Sequence, residues 1–134
     1  MAKVLLVEDE PSIRDLYSRQ LTKAGHLVTA VEDGTKGLST LKTAAFDILL
    51  LDIMLPGLNG LQVLKEFKTF SPTSPTKVIL LTNLGQDTVI KEGFELGANA
   101  DLIKASYTPD QVVAEVQNIL TGQPSTLPNT APTS

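Results

Sequence analysis

The sequence predicts one α/β domain, a doubly wound parallel β-sheet with helices on both faces, and three observations carry that prediction. Short apolar runs alternate five times with segments of helical spacing, the interval at which right-handed crossovers join parallel strands. Val4–Val7 and Ile48–Leu51 are apolar without alternation, as strands buried on both faces are. Both then end in acid: Glu8-Asp9-Glu10 after the first and Asp52 after the second. At 134 residues the chain is long enough for one such core.

Each element has its own local reason. Val4–Val7 is the first strand. Pro11 then suits the first turn of a helix, and Ile13, Leu16, Tyr17, Leu21 and Ala24 repeat at helical spacing until Gly25 ends it. Leu27–Val31 is a second strand, less uniformly apolar and so nearer an edge. Thr35–Ala45 is a weak helix carrying Leu38 and Leu41. Ile48–Leu51 is the third strand, and Leu61, Leu64 and Phe67 mark the helix after it. Pro72 and Pro75 bracket a loop. Val78–Thr82 is the fourth strand, followed by a helix with Val89, Ile90 and Phe94 that stops at Gly97. A short strand at Ala100–Ile103 precedes the best-signalled helix. There Thr108-Pro109-Asp110-Gln111 combines an N-cap, a first-turn proline and capping-box spacing, and Val112, Val116, Ile119 and Leu120 form one stripe. These elements assign residues 1–121 to the domain. Residues 122–134 are uncharged and rich in Thr, Pro and Ser, a composition that predicts a disordered tail or linker remnant.

Composition excludes several functions. A net charge of −4 argues against direct nucleic-acid binding. With no cysteine there is no disulfide, thiolate metal site or thiol catalysis. No run approaches the ~18 apolar residues of a membrane span, and the first apolar run is too short for a signal peptide. The expectation is a cytoplasmic protein that engages no membrane. His26, the single histidine, stands at a helix–strand junction without triad partners.

In open parallel sheets, ligands bind beyond the carboxyl ends of the strands, where strand order reverses. Those ends carry Glu8, Asp9 and Glu10, then Asp52, Thr82 and Lys104. Two carboxylates 4 Å apart repel by about 4 kcal/mol at an effective dielectric near 20. That repulsion favours a small hard cation held through oxygen, for which Mg²⁺ is the usual choice. Asp52 could then attack a phosphoryl group and carry it as an acyl phosphate. Lys104 and the Thr82 hydroxyl would serve the equatorial oxygens. Duller roles exist for most of these residues. The acidic triplet also suits the positive end of the first helix dipole, a strand-terminal Thr is often structural, and a loop lysine is often only solvated. Asp52 differs, because an acid after four aliphatic residues needs a partner or a ligand. Asp47 begins the third strand at the opposite rim and reads as surface. A dinucleotide site is disfavoured because acids, not Gly-x-Gly-x-x-Gly, follow the first strand, and no Walker loop is present.

Val4–Glu10, Ile48–Gly60, Val78–Thr82 and Gly97–Lys104 together resemble the receiver domain of two-component response regulators, a likeness spanning about residues 3–121. The resemblance implies a (βα)5 flavodoxin-like three-layer sandwich with strand order 2-1-3-4-5. It implies phosphotransfer to Asp52 from a sensor histidine kinase or phosphotransfer protein, and output through an unidentified protein partner. It also implies Mg²⁺ held by Asp9, Asp52 and the Met54 carbonyl, with Glu8 assisting through water. Thr82 and Lys104 match the family's hydroxyl and lysine.

Departures from the family pattern set further expectations. Ala105 replaces a proline joined by a cis bond; before a non-proline that bond costs about 2.5–4 kcal/mol, so a trans peptide is expected. Asp101 replaces an aromatic that swings inward on phosphorylation. It is expected to point outward, on the face of the fourth helix, fifth strand and fifth helix, with the response travelling through Thr82, Asn83 and the loop near Gly85. Asn83 stands where a small residue is usual. Met54 and Leu84, at the positions that influence the attacking water, predict a slowly hydrolysed acyl phosphate. The reading is a stand-alone receiver, a switch rather than an enzyme, that promotes its own phosphotransfer and slow dephosphorylation. Its rivals are a receiver-like interaction module that does not switch, and a metal-dependent phosphatase on a related sheet. The phosphatase lacks an Asp-x-Asp after the first strand.

Overall fold

The computed structural model describes residues 2–83 and 86–122. The expectations for Leu84, Gly85 and the tail from residue 123 lie outside the described residues. In chain order the elements are β1 (Lys3–Val7), α1 (Pro11–Lys23), β2 (Leu27–Val31), α2 (Gly34–Thr43), β3 (Ile48–Asp52) and α3 (Gly60–Phe70). They continue with β4 (Lys77–Thr82), α4 (Asp87–Glu95), β5 (Ala100–Ile103) and α5 (Pro109–Thr121), with a 3-10 turn at Lys104–Ser106. The sheet is parallel throughout and ordered β2-β1-β3-β4-β5, as the family resemblance implied. β2 is an edge strand, in keeping with its mixed composition.

The pleat sorts the core into two halves. Leu5, Val7, Leu49, Leu51, Val78 and Leu80 face Leu41 of α2 and Val63, Leu64 and Phe67 of α3. Val4, Leu6, Ile48, Leu50, Ile79 and Leu81 face Tyr17 and Leu21 of α1 and Val112 and Val116 of α5. Both faces of β1, β3 and β4 are covered, which is why these runs are apolar rather than alternating. Burying a Leu or Ile side chain completely is worth roughly 1.5–3 kcal/mol, so these central strands form the rigid base of the carboxyl rim.

Caps fix where the helices begin. The Thr108–Gln111 capping box of α5 is present as predicted. A second box, Asn59–Gln62, starts α3, a helix the sequence marks only by Leu61, Leu64 and Phe67. His26 is buried, and its Nδ1 accepts a hydrogen bond from the Ala2 backbone N–H at 3.2 Å. Burial lowers its pKa, so it is a neutral core residue joining the α1–β2 turn to β1. Asp47 is exposed, and its Oδ2 accepts the Lys3 backbone N–H at 2.8 Å.

The segment between Asp52 and α3 is held by close backbone approach. A Cβ on Gly34, at the start of α2, would lie 2.0 Å from the Leu58 carbonyl oxygen; one on Gly60 would lie 2.4 Å from the Asp52 carbonyl oxygen. Neither contact is the far end of a flexible side chain, so neither can yield cheaply. Gly34→Ala is therefore expected to lower stability by about 1–3 kcal/mol, whereas Thr35→Ala, exposed in the same turn, should change it little. Thermal denaturation of the two variants checks this, and equal midpoints would contradict the packing argument.

Candidate functional site

The chain leaves β1 for the edge strand β2 and returns to the other side of β1 as β3. The carboxyl ends of β1 and β3 therefore flank the switch in strand order, where such sheets bind ligands. Glu8 follows β1 and Asp52 ends β3, and both are buried, 0% and 1% exposed. The 3-10 turn after β5 brings in Lys104. Its Nζ donates to Glu8 Oε1 at 2.9 Å and to Asp52 Oδ2 at 3.1 Å. The Met54 backbone N–H donates to Asp52 Oδ1 at 3.0 Å.

Asp9 completes the acidic group. Single carboxylate oxygens of Glu8, Asp9 and Asp52 all lie within 4.8 Å of one another. Ionised, these three acids against one ammonium leave two formal negative charges, which a divalent cation would balance. Hard oxygen donors at this spacing suit Mg²⁺. Glu10 is the N-cap residue of α1, but its side chain makes no capping hydrogen bond. Glu8 instead folds back, accepting the Glu10 N–H at 3.1 Å. The helix-dipole role open to the triplet is thus not the one Glu8 takes. A cleft of about 460 Å³ opens over this group, lined also by Glu10, Ile13, Met54 and Asn83. A second hollow, of about 360 Å³, lies at the opposite rim beside Phe46 and Phe67, and no carboxylate lines it.

Burial shifts the acid–base balance. Desolvation, then the neighbouring Glu8 charge and a hydrogen bond to Glu8, push the Asp52 pKa up to about 7, against the pull of Lys104. Burial pulls the Lys104 ammonium down, but its hydrogen bonds and the fields of Glu8 and Asp52 outweigh this and its pKa rises. Tyr17 lies beneath the group in the core, and burial raises its phenol.

The response regulator receiver domain family model matches residues 4–117. The chain belongs to this family. Phosphorylation-controlled signalling is the general function of receivers, which bind Mg²⁺ at an acidic pocket, act with sensor histidine kinases and output domains, and are not enzymes in the ordinary sense. The sensory transduction protein RegX3 of Mycobacterium bovis is 36% identical over 120 residues, covering 90% of this chain and 51% of that protein. The DNA-binding dual master transcriptional regulator RpaA of Synechocystis is 32% identical, with coverage of 90% and 49%. The chain thus spans about half the length of these curated relatives. Among solved structures, chemotaxis protein CheY4 of Vibrio cholerae superposes with a TM-score of 0.81 at 31% identity, covering 89% of this chain and 98% of that one. The BeF3-activated DrrB receiver domain gives 0.78 at 32% identity, covering 90% and 98%. No helix among the described residues is long and apolar enough to cross a membrane.

The structure brings Glu8, Asp9, Asp52 and Lys104 together; among the described residues Thr82 makes no hydrogen bond to them, and one expectation, the outward Asp101, is overturned. Thr82 is buried, and its hydroxyl donates to the Leu102 carbonyl at 3.4 Å, a long bond directed toward β5. Asp101 is 4% exposed rather than outward. Strand alternation explains it: Leu102 belongs to the α1/α5 half of the core, so Asp101 falls on the other face, level with Leu80 of β4. No cis peptide occurs among the described residues, yet Lys104 still reaches both acids. Asn83 is exposed at the cleft, and its N–H donates to the Gln86 side chain at 2.6 Å. One engaged residue escaped the sequence reading. Arg14 lies in the first turn of α1, where a cation opposes the helix dipole, and that misplacement was the available signal.

The raised Asp52 pKa makes a stability prediction. Between the unfolded value of 3.8 and about 7, the folded chain binds the extra proton, so this group's contribution worsens as pH rises through that window. Without divalent ions, Asp52→Asn should be more stable than wild type at pH 8, by on the order of 2 kcal/mol, and the gap should close toward pH 4. Denaturant titrations in chelator at both pH values check it; a gap independent of pH would contradict it.

Proposed function

We propose that this receiver is a Mg²⁺-dependent phosphoacceptor that takes a phosphoryl group on Asp52 and signals by binding another protein. The observation that carries this reading is a carboxylate, 1% exposed at the end of β3, joined to Lys104 and grouped with Glu8 and Asp9. Asp9, Asp52 and the Met54 carbonyl would hold the cation, with Glu8 assisting through water. Bound there, Mg²⁺ supplies charge neutralisation for the carboxylates and the incoming phosphoryl oxygens.

The transfer balances simply. An Asp52 carboxylate oxygen forms the O–P bond as the N–P bond of the donor phosphohistidine breaks, and the imidazole leaves with the bonding pair and takes up a proton. Lys104, already on Asp52 Oδ2, neutralises charge on the transferred group. The Thr82 hydroxyl exchanges the Leu102 carbonyl for a phosphoryl oxygen. Met54, exposed at the cleft, has no side-chain donor or strong acceptor to orient attacking water, so the acyl phosphate is long-lived.

The domain is residues 1–121, acting in the cytoplasm. Its donor is a sensor histidine kinase or phosphotransfer protein, and its output partner is a protein rather than nucleic acid. The rival reading, an interaction module that does not switch, is favoured by the buried acid at position 101. Labelling separates them. With acetyl phosphate and Mg²⁺, intact mass should show one added phosphoryl on wild type and none on Asp52→Asn; equal labelling of the two would refute the assignment. Once the donor is removed and Mg²⁺ is retained, the label should decay slowly, and Met54→Asn should change the rate. Rapid loss from wild type would contradict the water argument.

A further inference from the structure

The acids of the cleft stand on a loop whose main chain is held from beneath by a side chain with no role in the transfer. Arg14 is half-buried in α1, and its Nη1 donates to the Glu8 carbonyl at 2.9 Å and to the Asp9 carbonyl at 3.4 Å. Those carbonyls belong to the two peptides that flank the Asp9 Cα. Among the described residues the Asp9 carboxylate accepts no hydrogen bond, so its direction follows from how those peptides are set. Glu8 is fixed independently, by its N–H on the Val31 carbonyl at 3.1 Å and by its contact with Lys104. Among the described residues the Asp9 side chain has no comparable anchor; apart from Arg14, only the Glu10 N–H on Glu8 Oε2 at 3.1 Å holds one of its flanking peptides.

We propose that Arg14 is a positioning residue for the cation site: it clamps both peptides flanking Asp9 and thereby aims that carboxylate at Glu8 and Asp52. The inference rests on the reading of the acidic group as the Mg²⁺ site. The hydrogen bonds go to main-chain oxygens, so the guanidinium takes none of the carboxylate oxygens that a cation needs. This also resolves the dipole conflict, because a cation in the first turn of a helix is tolerated when carbonyls of the preceding loop receive it.

Charge and geometry predict opposite results, which makes the test decisive. Removing a positive charge beside three acids would by itself tighten cation binding. Losing the clamp weakens it, as loss of supporting contacts around metal ligands typically does, by about tenfold or more. Lysine keeps the charge, but its shorter, freely rotating ammonium lacks the fixed planar guanidinium geometry that sets Nη1 on both carbonyls. Mg²⁺ affinity is measured by calorimetry on the full chain for wild type, Arg14→Met, Arg14→Lys and Asp9→Ala. Thermal unfolding in chelator checks the fold, and hydrogen exchange in chelator reports on the Glu10 amide.

The expected result is about tenfold weaker Mg²⁺ binding in both Arg14 variants, with faster exchange at Glu10 and an unfolding midpoint close to wild type. Arg14→Met binding as tightly as wild type or tighter, while Asp9→Ala binds weakly, would overturn the proposal and leave the cation site standing. Asp9→Ala binding like wild type would remove the cation site and the proposal with it. Should Arg14→Met fail to fold, Arg14→Lys decides by the same criterion.

Discussion

One buried ammonium organises the carboxyl rim. Lys104 spans to Glu8 and Asp52, residues 96 and 52 positions away in sequence, and so ties the ends of β1, β3 and β5 into one charged group. Its side chain is 12% exposed, and those of its partners are 0% and 2% exposed. Taking charges out of water costs several kcal/mol each, and only good geometry recovers it. Here recovery is incomplete: the Asp52 pKa still stands near 7. An interior selected for stability alone would fill this position with an aliphatic side chain. The unfavourable balance is what the proposed phosphoacceptor role would require of this position.

The rest of the fold makes that balance tolerable. β3 is buried along its whole length, and its last residue occupies the switch between β1 and β3. The apolar strands beneath supply rigidity, while the segment after Asp52 is fixed by backbone contacts that only Gly34 and Gly60 allow. The cost of the charged group therefore falls at the rim, where Asp9 is exposed and a ligand can enter. A cation that bound the folded state alone would return stability by mass action, so on the proposed reading the ion-free receiver is the less stable form.

Strands and site were legible because burial and charge pull in opposite directions. Four aliphatics followed by an acid can be satisfied in few ways, and four strand ends bearing acids, a hydroxyl and a lysine converge only in a parallel sheet. The α5 cap was legible because Thr108, Pro109 and Gln111 carry the same message. The α3 cap was missed because Asn59-Gly60 also reads as a turn, and only the Gln62 side chain returning to the Asn59 N–H distinguishes them. Asp101 was misplaced for another reason: its charge was weighed, but the strand period was not. Alternation across β5 fixes its face whatever its polarity, and Leu102 beside it was the better guide. Arg14 was passed over because an arginine on a helix is ordinary; its first-turn position was the one signal, while its carbonyl partners show only in the structure.

That correction changes where a phosphorylation signal would first be felt. The Thr82 hydroxyl rests on the Leu102 carbonyl of β5, so a Thr82 that turns to a phosphoryl oxygen gives up a contact with that strand. The neighbouring positions on β5 are Asp101, buried on the α2–α4 side of the sheet, and Ile103, which leads directly into Lys104. Lys104 is itself drawn toward new charge on Asp52. Both movements would act on the carboxyl end of β5, one by releasing Leu102 and one by pulling Lys104. On the proposed mechanism β5 is the bistable element. The buried carboxyl at position 101 directly precedes Leu102 on the same strand and must be accommodated in either position. A receiver with an aromatic there changes state by burying a ring. Here the corresponding group is already inside, so on the proposed mechanism the energy separating the two states would come from charge and hydrogen bonding at Thr82, Leu102 and Lys104.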